Sequence, residues 1–536
     1  MKISFLIVLS LAIFAARALF TPGFLPTHDG EYHLIRFHEF STMLSAGYFF
    51  PRWAPNLNSG YGMPLFNFHY PFPNYLGSLY HFLGVSYPDA VKLVLATGYL
   101  VAVIFCYFWL VKLFDKKTAV FGTVVFSFIP YWFVDMYVRG VVGEVFGIAW
   151  VMLALASIER GWKTFLTISV GLLIISHNIM SLLFLPFLLA YILIRNRSMV
   201  TSLLLGIGLS SYFWIPAILE QQYVVGLNTV NFRDHFPDFA QLLVPSWGTG
   251  FSQAGQPADE MSFQIGIAPL LIFMSTPFLL LRKDKKGENN KQRKRLAIFF
   301  LLVSSAAFIL MLEPSRPVWE QLPFLSYLQY PWRLLSVFLP ATAFLSAYVL
   351  VRGPGWIGIV FTLVAISLSL SYTVPVVYTP RSDAYYLSRP NFTDGTSSLG
   401  NAFSTVWTGW KQTRPKQKVE VVEGNTTIGQ ILGKPLGYNF LVETPASAVL
   451  RANTLYYPGW NVTANGVPLP IEYKKDGSIT FSIGPGKSNI RVFFEETPLR
   501  KTADAASLVS LFWLIASVIL KFYAHRYRHD ITGHGT

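Results

Sequence analysis

The sequence predicts a polytopic α-helical membrane protein of about twelve transmembrane helices, carrying an external β-sandwich-like domain near its C-terminus. Three observations lead there. Of 536 residues, 53% are hydrophobic and only 13% are charged, where soluble domains carry about 25% charge. Apolar runs of about 15–22 residues recur from end to end, long enough for a hydrocarbon core of ~30 Å. Residues 376–503 break that pattern with short β-branched and aromatic runs. A soluble globular enzyme is therefore excluded. The single cysteine, Cys106, excludes an intramolecular disulfide framework, a CxxC redox pair and a Cys-based zinc site.

The apolar runs lie at 3–20, 93–113, 118–135, 142–157, 163–176, 178–194, 200–219, 264–281, 296–312, 333–351, 356–375 and 505–523. The first has a second reading as a signal peptide cleaved near Ala16-Arg17-Ala18, although it is long for a signal core. The connections alternate in charge. One set holds Lys2, Lys112, Lys116, Lys117, Arg160, Lys163, Arg195, Arg197, Arg352, Lys521, Arg526, Arg528 and the basic run 282–295, twenty cations in all. The opposite set, outside 376–503, holds seven: Arg36, Arg52, Lys92, Arg139, Arg233, Arg316 and Arg333. The positive-inside rule makes the first set cytoplasmic. Both termini are then inside, and the net charge of +14 reports sidedness rather than nucleic-acid binding.

Three external segments are long. Residues 21–92 and 220–263 are rich in polar and aromatic residues. Within 376–503, runs at Lys418–Val422, Ser478–Ile483 and Ile490–Phe494 are separated by the turn pairs Asn465-Gly466 and Asp476-Gly477. The expected organisation is a membrane domain over 1–375, including loop 21–92, then the β-rich domain over 376–503. A final span and cytoplasmic tail occupy 504–536. Sequons at Asn391, Asn425 and Asn461 agree with an external placement of the β-rich segment.

Four polar groups fall on the external side. The first is His28-Asp29-Gly30-Glu31-Tyr32-His33, followed by Arg36. On a helix, Asp29, His33 and Arg36 would share one face; the plainer reading is a solvated helix start capped by Asp29. The second is Asp135, Arg139 and Glu144, the last at the start of an apolar helix, where ionisable groups are costly and tend to be functional. The third is Ser176-His177-Asn178, which also reads as a simple turn. The fourth is Gln329-Tyr330-Pro331-Trp332-Arg333, which also reads as an aromatic anchor. Carboxylates and arginines converging on one water–lipid boundary suit reaction at a lipid-linked phosphate. The arginines would stabilise the departing phosphate while a carboxylate takes a proton from an attacking hydroxyl. His28, Asp29, His33 and Glu144 are metal-ligating types, yet their spacing matches no strong zinc pattern, so no cofactor is assigned. Phosphate-loop, serine-elbow and zinc-protease motifs are absent from the sequence.

The stretch His28-Asp29-x-x-Tyr32-His33-Leu34-x-Arg36, with Tyr48-x-x-Pro51-Arg52-Trp53 and Tyr61-Gly62-x-Pro64-x-Phe66, resembles the opening of the 6-pyruvoyl-tetrahydropterin synthase-related membrane domain and YfhO-like proteins. Arg139-Gly140-x-x-x-Glu144, Ser176-His177-Asn178, Tyr330-Pro331-Trp332-Arg333 and Tyr457-Pro458-Gly459-Trp460 extend the resemblance in order. It implies the GT-C superfamily of membrane glycosyltransferases, with a GT-C-like fold and a polyprenyl-phosphate-linked sugar as donor. The acceptor would be an external glycan, protein or lipid, with no nucleic-acid partner. By that resemblance Asp29 matches the first-loop base and Glu144 the secondary acid, while Arg139 and Arg333 face the donor phosphate. Because the loop reads Asp-Gly-Glu, the base stays open between Asp29 and Glu31. His28, His33, Arg36, Arg52, His177 and Asn178 complete the expected substrate-binding set. A flippase of lipid-linked glycans and a non-catalytic envelope assembly factor are the rival expectations.

Overall fold

A computed structural model of the chain describes residues 2–226, 230–251, 261–282, 288–375, 378–389 and 392–533. Sequon Asn391 and the centre of the basic run, 283–287, lie outside the described residues. All twelve apolar runs contain helix, because uninterrupted Leu, Ile, Val, Phe and Ala leave the backbone to satisfy itself within each segment. Seven helices are long and apolar enough to cross a membrane: Tyr87–Leu113, Val142–Arg160, Asn178–Arg195, Asn290–Met311, Pro331–Arg352, Gly355–Thr373 and Pro498–Leu520.

Two bent helix pairs are together apolar and long enough to join them. Lys116–Ser127 and Pro130–Arg139 meet at 47°, and Arg197–Leu209 and Ser211–Leu219 at 65°. The first bend sits where Pro130, lacking an N–H, opens a new helix. The remaining apolar helices, Ile3–Ala15, Lys163–Ser176 and Ile267–Leu280, are shorter. Fourteen residues rise only about 21 Å at ~1.5 Å per residue, short of a ~30 Å core. Of the twelve expected spans, seven are helices of spanning length among the described residues, or nine if each bent pair is one span.

The C-terminal β domain consists of two antiparallel sheets. The smaller orders Val419–Glu423, Ala448–Leu455 and Ser478–Ile483. The larger is built on Gly437–Thr444, Gly486–Phe494 and Trp460–Ala464. Alternating burial along Gly437–Thr444 puts Tyr438, Phe440 and Val442 into a core shared with Leu450, Ile479 and Phe481 of the other sheet. Asn465 and Gly466, at φ 51° and 84°, make the left-handed two-residue turn that joins Trp460–Ala464 to Val467–Pro468.

The first strand starts at Val419, later than the expected boundary at 376. The preceding stretch instead docks on loop 21–92. Phe24 bridges Thr379, the Asn58 N–H donates to the Gly395 carbonyl, and Arg36 donates to Ser397. Trp53, Leu57, Met63, Leu65 and Phe66 extend the β-domain core into that loop. Beneath them, buried Glu220 accepts from Arg500 Nε (3.0 Å), the Tyr457 hydroxyl (2.7 Å) and Asn67 Nδ2 (2.8 Å). One carboxylate thus joins the first loop, the end of a membrane helix, the β domain and the root of the last helix.

Candidate active site

A break in helical geometry assembles the site. Val134–Arg139 is wound as a π-helix, a form that recurs at functional positions. Gly140 then turns the chain with φ 70°, so that helix Val142–Arg160 starts beside it. No other residue fits at 140. An added Cβ would lie 2.1 Å from Thr27 Oγ1, and the backbone is left-handed. That close approach lets the His28 and Asp29 N–H groups donate to the Val138 and Arg139 carbonyls, each at 2.9 Å. Gly143 has the same role toward the His177 turn, since its Cβ would meet the Ser176 carbonyl and the Tyr70 ring at 2.5 Å.

The centre is Glu144, fully buried with Asp135. Its Oε2 faces Arg139 Nη2 at 3.0 Å and Arg333 Nε at 3.3 Å. Its Oε1 accepts the Tyr131 hydroxyl at 2.5 Å. Arg139 also donates to Asp135 and to the Tyr131 oxygen. Two carboxylates balance two guanidiniums, as burial of charge requires. Trp332 lies under both arginines, 4.6 Å from Arg139 and 6.0 Å from Arg333, with Tyr330 stacked on it at 4.9 Å. Arg333 is pinned through the Leu328 carbonyl (2.7 Å) and Gln329 Oε1 (3.2 Å). Gln329 itself holds φ 66°, a strained backbone for a residue with a Cβ.

Asp29 occupies the N-cap of helix Gly30–Ser45, yet its side chain makes no capping bond. Its carboxylate is half-buried and, among the described residues, forms neither a hydrogen bond nor an ion pair. Two phenols locate it electrostatically. Burial, the leading cause, raises the Tyr70 phenol. Arg36 and Arg333 then lower it, while Asp29 and Glu144 raise it. Tyr330 is likewise raised by burial, lowered by Arg333 and Arg139, and raised by Asp29. The 2.9 Å bond from the Asp29 N–H to the Arg139 carbonyl places its backbone beside the Glu144 cluster.

Glu31 points elsewhere. It pairs with Arg381 Nη1 at 2.6 Å and is half-exposed.

His33 and Arg36 follow Asp29 along the same helix and are buried. Arg36 Nη1 lies 2.9 Å from His69 Nε2, and its Nε donates to Ser397 Oγ at 3.0 Å. Burial first, then Arg36 and His177, hold the His33 imidazole well below its usual range. Burial and the Arg36 charge do the same to His69. His33 has no hydrogen-bond partner on either ring nitrogen. His177 packs against Tyr70 with ring centroids 5.0 Å apart and tilted by 32°, and it caps its own helix, Nδ1 accepting from the Met180 N–H.

Three other expected residues direct their side chains to partners of their own. His28 reaches the Thr249 carbonyl at 3.0 Å. Asn178 donates to the Phe68 carbonyl at 3.1 Å. Arg52 braces the last helix through Glu496 (2.7 Å) and Asp504 (3.1 Å). Three residues of this neighbourhood lie outside the four polar groups of the sequence: Tyr131, Tyr70 and His69. Among the described residues, no three His, Cys, Asp or Glu side chains gather to hold a metal ion.

No protein-family model matches the sequence, and no curated protein matches it. Solved structures do resemble it. One is the Archaeoglobus fulgidus oligosaccharyltransferase in its apo form, at 13% identity and TM-score 0.43, over 73% of this chain and 58% of that one. The same enzyme tethered to an acceptor peptide containing the NVT sequon gives 14% and 0.39, over 77% and 59%. ArnT from Cupriavidus metallidurans bound to undecaprenyl phosphate gives 12% and 0.33, over 90% and 97%. The chain spans less than two thirds of the oligosaccharyltransferase.

Proposed function

We propose that this membrane protein is a GT-C-type glycosyltransferase, akin to the YfhO-like and pterin-synthase-related membrane group. It moves a sugar from a polyprenyl-phosphate donor to an acceptor on the extracytoplasmic face, with both termini cytoplasmic. The observation that carries this reading is the unpaired Asp29 carboxylate in the same electrostatic neighbourhood as two buried arginines already neutralised by Glu144 and Asp135. An acceptor hydroxyl beside Asp29 gives up its proton to that carboxylate as it attacks the anomeric carbon. The bond to phosphate breaks on the opposite face, and the sugar inverts. Arg139 and Arg333 stabilise the charge that develops on the leaving phosphate, where fixed donors in a dry site count most.

Glu144, with its oxygens engaged by Tyr131, Arg139 and Arg333, is the positioning residue for those guanidiniums rather than the proton acceptor. Glu31, paired with Arg381, is the weaker candidate for the base. The β domain would hold the acceptor.

The test compares envelope glycans in cells carrying Asp29→Asn, Glu31→Gln, a deletion and the wild type. Asp29→Asn at normal protein abundance reproduces the deletion's missing glycan, and Glu31→Gln does not. Unchanged glycan in Asp29→Asn refutes the assignment.

A further inference from the structure

At the other end of helix Val142–Arg160 from Glu144, five helix ends line a cavity of about 540 Å³, within the ~300–1,000 Å³ range of small-molecule sites. They are the ends of Tyr87–Leu113, Val142–Arg160 and Asn178–Arg195 and the starts of Lys116–Ser127 and Asn290–Met311. Its charged and polar lining is Lys112, Asp115, Glu159, Arg195, Gln292 and Arg293, and it belongs to the set of short basic loops.

The two acids are already engaged. Glu159 receives Arg195 through Nε (2.6 Å) and Nη2 (2.5 Å), and also the Tyr191 hydroxyl at 2.6 Å. Asp115 caps its helix, accepting the Thr118 N–H at 3.1 Å and the Thr118 hydroxyl at 2.6 Å. Of the lining cations, Arg195 is spent on Glu159, whereas Arg293 and Lys112 have no carboxylate pair among the described residues. Arg293 donates through Nε to the Leu113 carbonyl at 2.8 Å and rests on the Phe114 ring at 4.9 Å. That anchors the guanidinium through Nε, and its two Nη groups have no hydrogen bond among the described residues. Lys112 has no ion pair or hydrogen bond among the described residues. A preformed cavity with satisfied acids, one oriented guanidinium and one free ammonium has the donor chemistry for a phosphate oxyanion.

We propose that this cavity binds a phosphate group, held by Arg293 and Lys112, on the face of the protein opposite the proposed glycosyl-transfer site. Two sources share that chemistry, the headgroup of an anionic phospholipid and a free phosphate-bearing solute. Neither depends on the transferase reading.

The test uses the purified full-length chain in neutral detergent. Dioleoylphosphatidylglycerol, dioleoylphosphatidylcholine and inorganic phosphate are titrated separately, with binding read by native mass spectrometry and folding by thermal unfolding. For a lipid headgroup, phosphatidylglycerol binds about ten-fold or more tightly than phosphatidylcholine. For a free phosphate, inorganic phosphate binds in the same site and displaces phosphatidylglycerol.

In either case Lys112→Gln with Arg293→Gln costs about ten-fold in affinity without lowering the lipid-free unfolding temperature. Lys163→Gln, an exposed charge outside the cavity, leaves it unchanged. Arg293→Lys keeps the charge but loses the planar fork, and it serves as the second variant should the double variant fail to fold. Absence of binding by both phosphatidylglycerol and phosphate overturns the proposal, and so does an equal loss in Lys163→Gln.

Discussion

Replacing Glu144 by Gln probes the charge balance of the site most sharply. The substitution keeps the shape and the oxygen that accepts from Tyr131, and removes only the negative charge facing Arg139 at 3.0 Å and Arg333 at 3.3 Å. Both guanidiniums are about 95% buried, so neither can turn to water for compensation. Asp135 alone then opposes two cations. Breaking a buried pair by removing one partner costs about 3–5 kcal/mol, and Glu144→Gln is expected to destabilise the chain by that amount.

Arg333→Gln unbalances the cluster in the opposite sense, so the double variant restores neutrality. Its cost should fall short of the sum of the single costs by about 1–3 kcal/mol. Reversible denaturation of the purified chain in dodecyl maltoside reads all four corners of the cycle. A Glu144→Gln cost below about 1 kcal/mol, or strict additivity in the double variant, would refute the ion-cluster account.

Other perturbations follow from the same geometry. Gly140→Ala forces a Cβ to within 2.1 Å of Thr27 Oγ1 at φ 70°. It should cost about 1–3 kcal/mol in the same denaturation assay, and Thr27→Ala should return part of that. His33 and His69 are fully buried with depressed basicity. Below pH ~6.5 the unfolded chain takes up protons that these imidazoles refuse. Stability is therefore complete above that pH and falls below it, by up to about 1.4 kcal/mol per pH unit for each histidine. The slope should shrink in His33→Phe. Arg500→Ala strands the Glu220 carboxylate, which should speed hydrogen exchange in strands Gly437–Thr444 and Gly486–Phe494. Arg451→Ala, breaking a partly exposed pair with Glu420, should not.

Parts of this arrangement were legible in the chain before any coordinates. The apolar runs and their helices coincide because a segment of uniform hydrophobicity in lipid has little alternative to helix. Asn465-Gly466 announced its turn, since few other dipeptides accept two left-handed residues in succession. Arg139, Glu144 and Arg333 drew notice because charge at the edge of an apolar helix is expensive.

The rest depended on contacts that no local pattern encodes. Tyr131 sits in an uncharged run, and its hydroxyl matters because the π-helical turn and the helix after it bring Arg139 and Glu144 back toward it. Arg52 shares a motif with the site, but its partners Glu496 and Asp504 are more than 400 residues away, which makes it a brace. The span count is least legible where helices are short, as at Lys163–Ser176, or bent, as at Pro130, because hydropathy measures composition rather than length or straightness.

The most direct measurement is sugar transfer by purified protein supplied with a polyprenyl-phosphate-linked sugar and the envelope acceptor, with donor binding measured alongside. The account predicts that Asp29→Asn still binds the donor like the wild type but transfers nothing, whereas Arg333→Gln loses donor binding. Transfer by Asp29→Asn at the wild-type rate would contradict it.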